Sequence, residues 1–215
     1  MNIIRGTKIR VIINLISVAT MLVAIYFLWL DNLFVFSTLL ILGATFFLPR
    51  EVYQKLGLRE KFSNELLDLL EILFSSLVLL SVGGYIWIYD NVYNYDAYVH
   101  FITPLLLFLV VALFLSAISR KLKMNYDKSD IILGSIVIMM SLILIWEVFE
   151  YLITLAGANM FYQEGQANDS LYDILAGFLS LPVGSVLVYK YNDWFLDQVK
   201  KSPSVYLKKD SKKYQ

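Results

Sequence analysis

The sequence predicts an all-α polytopic membrane protein, a bundle of six transmembrane helices with both termini in the cytoplasm. Three observations predict it. The 215 residues are 59% hydrophobic, well above the 45–50% of an average soluble domain. Six apolar runs are long enough, or nearly so, to cross a bilayer, which takes about 20 residues. All 18 lysines and arginines fall in alternate connections between those runs, the asymmetry that orients membrane helices with their basic loops in the cytoplasm.

The runs are taken in chain order. Residues 11–30 form the first helix; the stretch is too long for a signal peptide and has no small-residue cleavage site, so it is read as a permanent span. Residues 33–48 give a short second span, which adapted flanks must complete. Residues 66–89, 101–119, 131–156 and 171–189 supply the remaining four. Arg5, Lys8 and Arg10 precede the first run, and Arg50, Lys55, Arg59 and Lys61 follow the second. Arg120, Lys121, Lys123 and Lys128 follow the fourth, and every other lysine lies beyond residue 189. The connections 31–32, 90–100 and 157–170 contain none. Residues 1–200 are thus expected to form one transmembrane domain and 201–215 a basic, solvated cytoplasmic tail.

Composition also excludes chemistries. With no cysteine, disulfides, thiolate metal sites and cysteine nucleophiles are ruled out, and a single histidine rules out multi-histidine sites. Zero net charge gives no reason to expect nucleic acid as a partner. No internal repeat stands out.

Three polar motifs interrupt the apolar background, all at the cation-free end. "DAYVH" carries Asp96 and His100 into the fourth helix, "WEVFEY" carries Glu147 and Glu150 near the end of the fifth, and "NDSLYDI" carries Asp169 and Asp173 into the sixth. Spacings of three and four put both members of each pair on one side of a helix. Consecutive helices with short connections tend to be neighbours, so the three stripes are expected to converge on one cavity. Counted from Ile131 at about 1.5 Å per residue, Glu147 lies about 24 Å along its helix, still at membrane depth. An ionised carboxylate there costs about 2.5–3.5 kcal/mol on insertion scales. A divalent cation would offset that cost for several carboxylates together. One imidazole with several carboxylates suits Mg, Mn, Fe or Zn better than copper.

Simpler readings compete at each position. His100 reads equally as an interfacial histidine, and Asp96 and Asp169 as helix N-caps. Glu147 and Glu150 resist such a reading, since acidic side chains at a helix C-terminus oppose its dipole. Asp68 and Glu71, at the cytoplasmic start of the third helix, favour the dipole, and Glu71 could pair with a basic residue of the preceding loop. The small residues and proline of "SVGG" (81–84) and "GFLSLPVGS" (177–185) suit close helix packing with a local kink. Trp87, Tyr89, Tyr93, Tyr95, Trp146, Tyr151 and Tyr172 read as an interfacial aromatic belt.

"YDAYVHF", "WEVFEY" and "NDSLYDILAG" resemble the D-x-x-x-H-F, [WY]-E-x-x-E and D-[ST]-x-x-D signatures of the YjdF-like inner-membrane proteins. A looser likeness reaches the VanZ-like proteins, which also open a helix with an Asp–His pair. The resemblance covers about residues 90–190 and implies that Asp96, His100, Glu147, Glu150, Asp169 and Asp173 form a shared polar set. "FYQEGQAN" stands where the family carries a longer stretch rich in Gly and Asp. The resemblance implies no particular reaction.

Three functions fit. The first is a metal-dependent hydrolase or transferase of the cell membrane acting on a lipid or lipid-linked envelope substrate, with Glu147 or Glu150 as base. The second is an ion- or proton-coupled transporter, whose acidic line only Glu71 could extend toward the cytoplasm. The third is a scaffold held by a metal or water site. Serine chemistry is not expected, because Ser170 has no histidine beside it in sequence, nor is lipid-phosphatase chemistry, because no arginine reaches this end.

Overall fold

In the computed structural model the described residues are 2–83, 92, 95–155 and 169–200, and they are almost entirely helical. The helices are α1 (Asn2–Trp29), α2 (Leu33–Thr45), α3 (Leu48–Lys55), α4 (Asn64–Gly83), α5 (Tyr95–Leu122), α6 (Lys128–Leu155) and α7 (Asp169–Val199), with a 3-10 turn at Leu58–Glu60. Four are long and apolar enough to cross a membrane: α1 from Lys8, α5, α6 and α7. The pair α2 and α3 makes a fifth if taken as one bent span. Leu15, Leu133, Ile145, Leu179 and Val186 are each more than half exposed, an apolar surface suited to lipid. The chain is a multi-pass membrane protein.

One expectation changes here. The second span is not one straight helix over 33–48: α2 stops at Thr45, and α3 departs at 41°. Pro49 sits at the start of α3; it has no N–H to give the Thr45 carbonyl, so the helix cannot run through. The third span is helical over Asn64–Gly83, and residues 84–89 lie outside the described residues. Trp87, Tyr89 and the tail 201–215 also lie outside them.

Sequence explains where the helices end. Asn32 caps α2 by accepting from the Val35 amide at 3.0 Å. Gly57, with φ +60°, closes α3 in the left-handed conformation that suits glycine. Asp127 and Asp130 form a reciprocal capping box at the start of α6, with bonds of 2.9 and 3.0 Å. The long helices overrun their apolar runs by several polar residues, because caps rather than hydropathy terminate them.

The α5 helix is central, packing on α4, α6 and α7. Its contact with α7 is close because Gly184 faces the Phe108 ring, where an added Cβ would lie 2.7 Å from Phe108 Cδ1. Gly177 likewise admits Ile143 of α6. This is the close packing expected of the "GFLSLPVGS" stretch. Phe108, Ala112, Met139, Ile143 and Leu181 form the apolar core beneath.

Basic residues tie the other end together. Arg50 Nε donates to Glu71 at 2.8 Å, Arg10 lies 3.5 Å from Asp68 and 4.0 Å from Glu71, and Glu71 is fully buried. Glu71 thus takes the loop partner foreseen for it. Lys61 donates to the Arg120 carbonyl. Desolvation, together with the nearby Lys200, Lys123 and Arg120, holds the Lys61 ammonium pKa below its ordinary value.

Candidate metal centre

At the opposite end, three helices bring acidic side chains to the single histidine. Tyr95 opens α5 and is buried, its hydroxyl donating to the Leu80 carbonyl at 2.7 Å. It anchors α5 to α4 and so is not part of an aromatic belt; Trp146, Tyr151 and Tyr172 are exposed and fit that role. Asp96 follows within the first helical turn, so it does not cap α5, and its carboxylate lies 3.4 Å from His100 Nε2. From α7, Asp173 approaches the same nitrogen at 3.9 Å. From α6, Glu147 lies 3.5 Å from His100 Nδ1. Side-chain exposure of these four groups is only 7–12%.

Five of the six residues expected from sequence therefore meet. Asp96, His100 and Asp173 offer one ligand-type group, and His100, Glu147 and Glu150 a second, with the atoms of each within 4.8 Å of one another. Asp169 is the first residue of α7, but its side chain lies outside the described residues. The two groups share His100: Asp96 and Asp173 lie at its Nε2 and Glu147 at its Nδ1. The cause is geometric. The two nitrogens of an imidazole face apart, so α6 and α7, each packed on α5, can bring acidic side chains to different nitrogens.

The spacing suits an ion. Ligand atoms about 2.1 Å from a central cation lie about 3 Å apart when adjacent and about 4.2 Å apart when opposite. At Nε2 the contacts are 3.4 Å to Asp96 and 3.9 Å to Asp173, and at Nδ1 3.5 Å to Glu147, so the spacing falls in that range at each nitrogen taken separately. If one nitrogen ligates, the other keeps its proton and donates to the opposite carboxylates, the arrangement that orients metal-bound histidines.

One backbone feature near the site had not been foreseen. Pro104 lies inside α5, four residues after His100, and cannot supply the amide that the His100 carbonyl would accept in an unbroken helix. The neighbouring Thr103 hydroxyl is also enclosed without a hydrogen-bond partner. The signal was present in the sequence as "HFITP": a proline four positions beyond a candidate ligand releases that ligand's own carbonyl oxygen.

Over residues 8–194 the sequence matches a family described as "Predicted membrane protein (DUF2238)". The chain belongs to that family. The match takes in α5, α6 and α7 with the whole acidic site, and extends the likeness to the first helices. No curated protein matches, and no solved structure matches.

Proposed function

We propose that this protein binds a divalent cation at the acidic end of the bundle and uses it on a lipid or lipid-linked substrate, as a hydrolase or transferase. The observation that carries the reading is the convergence of Asp96, Glu147, Glu150 and Asp173 on one imidazole, in a region to which no lysine or arginine is close in sequence. Several carboxylates in so enclosed a place repel one another and lose their hydration, and a doubly charged ion offsets both costs.

In this reading His100 Nδ1 and Glu147, 3.5 Å apart, would hold the ion. Asp96, 3.4 Å from Nε2, would orient the ring, with Asp173 behind it at 3.9 Å adding negative charge on that side. The cation would polarise a phosphoryl or acyl oxygen or activate water. Glu150, less enclosed than Glu147, serves as general base. The exposed apolar side chains around the site, Trp146, Phe149 and Tyr172, suit a substrate that arrives through the bilayer. Six spans with both termini on the cytoplasmic side complete the proposal.

A transport role is less well supported, since Glu71, the one residue able to extend the acidic line, is held by Arg50. The test is turnover by the purified protein on phospholipids and polyprenyl phosphates with and without divalent metal. Metal-dependent turnover that falls by about 10²–10⁴ in Glu150→Gln supports the proposal. Turnover indifferent to chelator would contradict it, as would a metal-free protein with a proton-coupled flux lost in Glu147→Gln.

A further inference from the structure

At the basic end, the loop that follows α3 docks on the ends of α5 and α7. Ser63 donates its amide to the Val199 carbonyl at 2.8 Å, and Phe62 pairs with Lys200 in an antiparallel bridge. Lys61 donates to the Arg120 carbonyl, and Lys121 donates in return to the Leu56 carbonyl at 2.5 Å. Three lysines from three segments thus gather at the end of α5: Lys61 by its own bond, Lys200 opposite the adjoining Phe62, and Lys123 just past Arg120. They act on one another, since Lys200 and Lys123 both help to lower the Lys61 pKa. Other cations here are matched, Arg120 by Asp193 and Asp197 and Lys121 by Glu60. Among the described residues, none of Lys61, Lys123 and Lys200 makes an ion pair with a carboxylate. Lys123 is held at φ +57°, the position after a helix that glycine ordinarily fills, and the Met124 amide closes the turn on the Ser119 carbonyl at 2.9 Å. A lysine there is strained where glycine would not be, so folding does not account for the choice. Its neighbours Leu122 and Met124 are 63% and 38% exposed, and apolar side chains beside a cation suit the border between headgroups and acyl chains.

We infer that Lys61, Lys123 and Lys200 hold the phosphate of an anionic lipid in the leaflet at this end, with Leu122 and Met124 against its acyl chains. Lys61 keeps two of its three N–H donors after bonding the Arg120 carbonyl, and Lys123 and Lys200 are exposed and can close on the phosphate. Lysines clustered beside a membrane helix attract acidic headgroups, each adding about fivefold in affinity. A zwitterionic headgroup brings a cation of its own to the same three ammonium groups and is disfavoured. A soluble phosphate has no chains to lay on Leu122 and Met124.

The test is native mass spectrometry of the detergent-solubilised full chain, with thermal unfolding of the same samples. Its probes are phosphatidylglycerol and phosphatidylcholine of matched acyl chains, with glycerol 3-phosphate as a soluble competitor. Phosphatidylglycerol is expected to bind at least about tenfold better than phosphatidylcholine. Lys61→Gln and Lys123→Gly should each weaken its binding about fivefold, whereas Lys8→Gln, which removes an exposed cation on α1, should leave it unchanged. Because Lys123→Gly relieves the left-handed backbone, it should unfold in lipid-free detergent at the wild-type temperature or above, which separates lost binding from lost folding. Equal binding of the two lipids, equal losses in all three variants, or a preference unchanged in Lys61→Gln and Lys123→Gly would overturn the proposal. Displacement of the lipid by equimolar glycerol 3-phosphate would also overturn it, since the lysines would then serve a soluble anion.

Discussion

His100 is asked to do what no other residue of the chain can, since it is the one histidine and its two nitrogens face different carboxylates, Asp96 and Asp173 at Nε2 and Glu147 at Nδ1. That geometry separates the roles of the carboxylates, and it makes the effect of neutralising one of them depend on metal. With metal chelated, Glu147→Gln removes a buried charge from a repulsive cluster, so the variant should unfold at a higher temperature than the wild type. With saturating Mn²⁺ the order should reverse, because only the wild type gains the binding free energy. Thermal unfolding in EDTA and in Mn²⁺ measures both, and an order that never reverses counts against the ion. At this scale the sequence was informative about identity and silent about arrangement. The i,i+3 and i,i+4 spacings picked out Asp96, His100, Glu147, Glu150 and Asp173, because side-chain direction on a helix is a local property. Which carboxylate meets which nitrogen was not legible, since it depends on how α6 and α7 pack on α5.

Helices meet where small residues let them, or where charges are shared between them. Gly184 leaves no room for a methyl group beside Phe108; Gly184→Leu should therefore destabilise the α5–α7 contact by about 1–3 kcal/mol, with part of the loss restored by Phe108→Ala. Denaturant unfolding of the two single variants and the double variant checks the coupling. The Glu71 contact is of the other kind. Arg50→Ala leaves a fully buried carboxylate with Arg10 at 4.0 Å in place of its 2.8 Å partner and should cost up to about 3–5 kcal/mol, whereas the paired replacement Arg50→Met with Glu71→Leu should cost far less. If the double variant is as unstable as the single, the ion pair is not what holds α3 to α4. Pairing of Glu71 with a basic loop residue was readable from sequence, as was close packing around "GFLSLPVGS". The break between α2 and α3 was also written there, in Pro49 four residues after Thr45, but the uninterrupted apolar run over 33–48 concealed it. Tyr95 looked interfacial by composition, and only its bond to the Leu80 carbonyl reveals an internal anchor.

Across the whole molecule, charge is polarised: cations gather at one end of the helices and the acidic centre lies at the other. Hydropathy made the membrane class plain, while the number of spans depends on α4 and the bent α2–α3 pair, whose lengths hydropathy alone does not fix. Because the chain has no cysteine, single introduced cysteines report topology without background. Asp31→Cys and Ser170→Cys are expected to react with an impermeant maleimide from outside the cell, and Lys55→Cys and Met124→Cys only after the membrane is opened. Labelling of all four from one side would contradict the proposed orientation. The most direct test of the account is elemental analysis of the purified, folded protein. It should carry a stoichiometric divalent ion, lost in both His100→Ala and Glu147→Gln while helicity is retained. A wild-type protein that stays free of metal after incubation with Mg²⁺, Mn²⁺, Fe²⁺ and Zn²⁺, or variants that keep the ion, would contradict it.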